Sequence, residues 1–122
     1  MPEERSYLQT HQVSGRWFTI DIPAHLEKVR KEMGDSHDKR GVALTKEGSL
    51  RVVLTALRRG ATMEEHQAPG PAVVQVLEGR VRIGLDGEDT ELSAGSAVAF
   101  DAHVRHRVEA MDDSAILITI GG

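Results

Sequence analysis

From residue 41 onward the sequence repeats one pattern: a short run rich in Val, Ile, Leu and Thr, then a cluster of Gly, Asp, Ser or Pro, then another run. The runs are GVALTK, SLRVVLTAL, AVVQVLE, RVRIGLD, SAVAF, HRVEAM and SAILITI, punctuated by EGS, RRG, APGP, EGR, DGED, SAG and DDS. β-Branched residues suit a pleated, half-buried surface, and Gly, Asp and Pro supply the backbone of turns. No second helical period interrupts the series. The spacing predicts an all-β sandwich or barrel over residues 41–122. SLRVVLTAL is apolar on both faces and is expected at the centre of a sheet. RVRIGL sets Val81, Ile83 and Leu85 against Arg80, Arg82 and Gly84, so one of its faces is expected to be wet or interfacial.

Residues 1–40 read differently. Residues 1–15 are polar and without period, an arm that a partner chain could order. RWFTIDI (16–22) has the composition of a short strand. Pro23 then stands where a helix can begin, Leu26, Val29 and Met33 recur at helical spacing, and Gly34 is a natural stop. The segment DSHDKR (35–40) reads as a charged loop with His37 in solvent. An arm, a strand and a helix over 1–40 are thus expected to pack on a barrel over 41–122, as one domain.

At 122 residues the chain has room for one hydrophobic core and hence one principal site. Fifteen basic residues against nineteen acidic ones, with no basic cluster interleaved with aromatics, argue against nucleic acid as a partner. The absence of cysteine removes disulfides, thiolate chemistry and cysteine-ligated zinc. The start MPEERSYLQTHQ lacks an apolar signal region, and no apolar run reaches the roughly 18 residues of a membrane span, so a soluble, cytoplasmic protein is expected. Asp112 and Asp113 sit in a DDS turn, where Asp is expected for local reasons, which disfavours a glycosidase pair. No GxSxG elbow, phosphate-cradling glycine loop or local serine–histidine arrangement is present. Arg105 and Arg107 flank His106 at opposite parity and read as an outward, solvated or interface edge, and Arg58, Arg59, Glu64 and Glu65 read by default as surface charges that pair weakly.

Two stretches carry the remaining information. In GATMEEHQAPGPAVVQVLEG (60–79), Gly60, His66 and Gly79 fall in register with the first motif of the cupins, G(X)5HXH(X)3,4E(X)6G; Ala68 stands at the second histidine and Ala72 at the glutamate. Gly95 and His106 fall in register with their second motif, G(X)5PXG(X)2H(X)3N, where Asp101, His103 and Ala110 replace the proline, glycine and asparagine. Over residues 41–120 the chain therefore resembles the cupins, which implies a double-stranded β-helix, or jelly-roll barrel, with one short N-terminal helix in front of it. The resemblance also implies a homodimer, with the Trp17, Phe18 segment or the Arg80, Arg82 face as the contact. In the family, the three first-motif ligands and the second-motif histidine hold a divalent metal inside the barrel. This chain keeps His66 and His106 as the metal-site positions, and two imidazoles fall short of the three or four protein ligands such ions need.

Strand alternation offers substitutes. If His66 points inward, Thr62 and Glu64 are expected on its face, and Val108 and Ala110 on that of His106. Glu64 is then the best replacement carboxylate. Gln75 reaches the pocket only if a bulge near APGP shifts its parity. His103, in a turn, is a further pocket candidate. Two functions follow. The first is a pocket for a small organic molecule, anchored by His66 and His106 with an incomplete metal site. The second is a metal-dependent enzyme of dioxygenase or isomerase type, with Mn, Fe, Ni or Zn on a rebuilt site. A purely structural role would leave both histidines unexplained, and no catalytic residue is assigned.

Overall fold

The structure, a computed structural model, describes residues 17–122. The arm expected over residues 1–15 lies outside them. Helix α1 spans Ile22–Met33. It starts there because the Asp21 carboxylate accepts a hydrogen bond from the Ala24 N–H at 3.0 Å, and because Pro23 occupies the first turn, where a missing N–H costs nothing. Arg30 and Lys31 complement the dipole in the last turn, and Gly34 follows as the C-cap. The strand expected at RWFTIDI does not form. Trp17–Asp21 has no regular structure, Trp17 is 76% exposed, and Ile20 and Ile22 pack against the helix cluster instead. A strand needs a partner ladder, and the Asp21 cap commits the chain to a helix from Ile22 onward.

Nine strands follow: β1 (Lys39–Glu47), β2 (Leu50–Leu57), β3 (Thr62–Gln67), β4 (Ala72–Glu78), β5 (Arg80–Leu85), β6 (Glu88–Ser93), β7 (Ala97–Phe100), β8 (Arg105–Ala110) and β9 (Ser114–Ile120). They form two antiparallel sheets, ordered β1-β2-β9-β4-β7 and β3-β8-β5-β6. The pairing of β9 with both β2 and β4, and of β8 with both β3 and β5, gives the crossed connections of a jelly roll. Among the described residues, the all-β jelly-roll architecture with one short helix is the one observed. Two of the strands, TMEEHQ (β3) and EDTELS (β6), have no apolar run to announce them. Both are edges of the four-stranded sheet, where few positions are buried and charges guard against further pairing.

The two faces of β2 explain its doubly apolar sequence. Leu54 and Ala56 meet Leu26, Val29 and Met33 of α1, together with Leu44 and Ala115, in a cluster under the helix. Leu57 faces the opposite way, into the barrel, with Val76, Val81, Ile83, Ala110 and Ile116. Each fully buried aliphatic side chain contributes about 1.5–3 kcal/mol at most, so α1 is held chiefly by these contacts. On β5, Val81 and Ile83 are fully buried, and the outer face carries ion pairs: Arg80 with Asp112, and Arg82 with Glu91 and Glu109. No helix among the described residues is long and apolar enough to cross a membrane.

Candidate functional site

The barrel is filled at one end and hollow at the other. Around Ile83, Val81 and Ile116 the inward side chains pack together, whereas the opposite end holds a partly open cavity of about 230 Å³. Its walls come from alternate, inward positions: Val53 and Thr55 on β2, Ala72 and Val74 on β4, Ile118 and Ile120 on β9, and Val108 on β8. Met63, His66 and Gln67 of β3, with Ala68 and Pro69 just beyond its end, close one side, and His106 closes it from β8. Ala68 and Ala72 are 5% and 4% exposed, so the two positions where the motif would place a histidine and a glutamate present methyl groups to the cavity. Their small size leaves the space open.

His66 and His106 are the polar end. They are directly opposite one another on β3 and β8, with Nε2 atoms 2.9 Å apart and ring centroids 4.0 Å apart at 60°. The backbone orients each ring: His66 Nδ1 lies 2.8 Å from the Glu64 carbonyl oxygen, and His106 Nδ1 lies 3.2 Å from that of Val104. A carbonyl only accepts, so in these orientations a neutral ring carries its hydrogen on Nδ1 and turns an Nε2 lone pair toward the other ring. Phe100 packs on His106 with a centroid distance of 4.8 Å. His106 is buried. His66 is exposed on its other side, where it also lines an open groove with Lys39, Gly41, Val42 and Glu64.

The remaining candidates are not brought to the cavity. On β3 two residues, Glu64 and Glu65, oppose the single Arg107 of β8, a bulge between the pairs Met63–Val108 and His66–His106. The bulge breaks the alternation that would set Thr62 and Glu64 beside His66. Thr62 pairs with Glu109, Met63 takes the inward place, and Glu64 turns its side chain to the outer groove while its carbonyl orients His66. Gln75 has parity opposite to Ala72 and Val74, with no register shift between Ala72 and Val76, and does not line the cavity. His103 is exposed, at φ 70°, in the turn before β8, and its N–H reaches the Ala68 carbonyl at 3.4 Å. Thr55 and Met63, which the sequence does not single out, do line it; for Thr55 the available signal is the doubly apolar run of β2, whose every inward residue must face the interior. Sequence reasoning also passes over His25, which is buried beneath α1, away from the cavity.

A divalent metal implied by the motif positions therefore meets an incomplete donor set. Among the described residues no three His, Asp or Glu side chains stand together as an ion would require. Two imidazoles backed by methyl groups do not fit such an ion.

Burial holds the His106 imidazole below its ordinary pKa of 6.5; the hydrogen bond to Val104 opposes this shift and the charge of His66 adds to it. The unfolded chain thus binds a proton at a pH where the folded one does not, and stability present above pH 6.5 is lost as pH falls toward the lowered value. The expected slope from this group is at most about 1.4 kcal/mol per pH unit. Urea titrations across this range should show that slope in the wild type and its loss in His106→Phe. Identical slopes in the two proteins would refute it.

Residues 53–120 match the family model described as Cupin domain. No curated protein matches the chain. Among solved structures, a conserved protein of unknown function from Streptococcus pyogenes aligns with a TM-score of 0.67 at 22% identity, covering 71% of this chain and 76% of that one. A cupin superfamily protein from Desulfitobacterium hafniense aligns with a TM-score of 0.67 at 14% identity, covering 89% and 94%. A salicylate 1,2-dioxygenase variant from Pseudoaminobacter salicylatoxidans gives a TM-score of 0.72 at 17% identity, with 83% of this chain matching 34% of that protein. At these identities the likeness establishes the fold.

Proposed function

The chain belongs to the cupin family, and from that premise we propose that its barrel is a receptor for a compact, mostly apolar small molecule anchored at His66 and His106. The observation that carries this reading is the partly open cavity of about 230 Å³ with mostly aliphatic walls and two convergent Nε2 atoms at one end. Cavities of about 150 Å³ already accept benzene, and drug-sized ligands occupy roughly 300–1,000 Å³. A single ring with one or two small substituents is the matching size. The competing reading, a metal centre rebuilt on Glu64, has its carboxylate on the groove that adjoins the cavity at Val53, Thr55, Met63 and His66, but among the described residues no three His, Asp or Glu side chains stand together to hold an ion. The family supplies no reaction by itself, since one fold hosts many functions.

The test is thermal unfolding of the full chain with a panel of single-ring compounds. A ligand at about a hundred times its Kd should add about 2.7 kcal/mol, which for a domain of this size is about 10 °C in Tm. Filling the cavity from inside, with Ala72→Leu, should abolish that shift. A panel that produced no shift, or shifts that survived Ala72→Leu, would defeat the proposal.

A further inference from the structure

We infer that the cavity selects a molecule bearing one acidic hydroxyl, a phenol or an enol, whose oxygen sits at the apex of a triangle based on the two Nε2 atoms of His66 and His106. This rests on the receptor reading above and supplies its ligand chemistry. The histidine pair is short of a hydrogen. Both Nδ1 atoms lie against backbone carbonyls, so with both rings neutral the pair of Nε2 atoms 2.9 Å apart holds two acceptors and no donor. Two facing lone pairs repel unless a hydrogen is placed between or beside them. An oxygen at about 2.8 Å from each nitrogen completes a nearly equilateral triangle on that 2.9 Å edge. Its hydrogen is then shared in a three-centre bond, without breaking the O–H bond. Should the proton pass to one nitrogen, an imidazolium faces the oxyanion, and the site remains neutral overall.

The walls decide what the rest of the molecule is. Beyond the histidines, Thr55 and Gln67 are the cavity's remaining polar side chains; no Lys, Arg, Asp or Glu among the described residues lines the cavity itself, and Lys39, Arg40 and Glu64 stand on the groove that adjoins it at Val53, Thr55, Met63 and His66. A phosphate or dicarboxylate would lose its hydration with no cation to replace it, and a sugar would bury several hydroxyls with too few partners. One hydroxyl on an apolar ring matches one acceptor pair among aliphatic walls. Entry is past His66, which borders both the cavity and the groove between the edge strands β1 and β3.

Phenol and toluene differ in a hydroxyl against a methyl at nearly constant shape, and they separate the two readings. Titration of chelator-dialysed full-length protein with each, followed by the imidazole nitrogen resonances of protein labelled with 15N-histidine, gives affinity and contact together. Phenol is expected to bind severalfold to about tenfold more tightly than toluene and to move the Nε2 resonances. In His66→Leu, an exchange at a partly exposed ring, that preference is expected to vanish while toluene still binds. Toluene binding as tightly as phenol in the wild type would overturn the inference and leave the receptor reading standing. A phenol preference that persisted in His66→Leu would also overturn it, since the hydroxyl would be anchored elsewhere. Binding of neither compound would count against both.

Discussion

Gly79→Ala is expected to destabilise the protein by about 4 kcal/mol and to lower its Tm by about 15 °C. Gly79 forms the turn between β4 and β5 with φ 83°, where a side chain is strained by about 1–3 kcal/mol in any surroundings. Here the surroundings add a collision. A Cβ would stand 2.3 Å from the Asp113 carbonyl oxygen, 2.4 Å from Ser114 Oγ and 2.9 Å from Ser114 Cα. Ser114 has little freedom to retreat, because it is buried and its hydroxyl lies within hydrogen-bond reach of the Arg80 N–H, the Arg80 carbonyl and the Asp112 carbonyl. Overpacking of this kind costs a further roughly 1–3 kcal/mol. Gly87→Ala separates the contributions: Gly87 has φ 87°, but a Cβ there would meet nothing within 4 Å, so it reports strain alone. Chemical unfolding of both variants measures the difference. If Gly79→Ala cost no more than Gly87→Ala, the collision would be absent and the close approach of the β4–β5 turn to the start of β9 would be refuted.

The same glycine shows what the sequence makes legible. Gly79 and His66 stand in register with the first motif and Gly95 and His106 with the second, and their backbone roles need only local spacing, so motif reading and structure coincide at the jelly-roll level. The seven β-rich runs all form strands because each has enough buried positions to show a pattern. The runs that escape notice, TMEEHQ and EDTELS, are edges with mostly exposed side chains. Trp17 and Phe18 resemble strand residues on composition alone, yet pairing in a ladder is a tertiary fact, and residues 17–21 adopt no regular structure. The site is hard to read for a comparable reason. Alternation is reliable only while register is unbroken, and the bulge at Glu64 and Glu65 is set by how β3 meets Arg107 across the sheet. A one-residue shift exchanges the faces, so Met63 lines the cavity and Glu64 does not. Ala68 and Ala72, by contrast, lie at the cavity wall where counting from His66 puts them, since motif spacing already includes whatever irregularity the fold contains.

That last property makes Ala68→His with Ala72→Glu the most informative gain of function. Both alanines line the cavity that His66 and His106 close, and both are buried, so the new imidazole and carboxylate are expected to enter the same space and raise the donor set from two to four. Four N and O donors suit Mn, Fe, Ni or Zn, whereas two do not. In the doubly substituted protein, Ni at about a hundred times its Kd should add about 2.7 kcal/mol, or about 10 °C in Tm, and survive dialysis at one ion per chain; the wild type under the same loading should retain far less than one. The unloaded variant is expected to be less stable than the wild type, because an unpaired carboxylate is then buried, and the metal should reverse that loss. Elemental analysis decides between two arrangements. A variant that bound no better than the wild type would mean that positions 68 and 72 do not converge with the histidines on one point. A wild type that already held one ion per chain would mean that two imidazoles suffice, and the reading of this cavity as a receptor without a metal would fall.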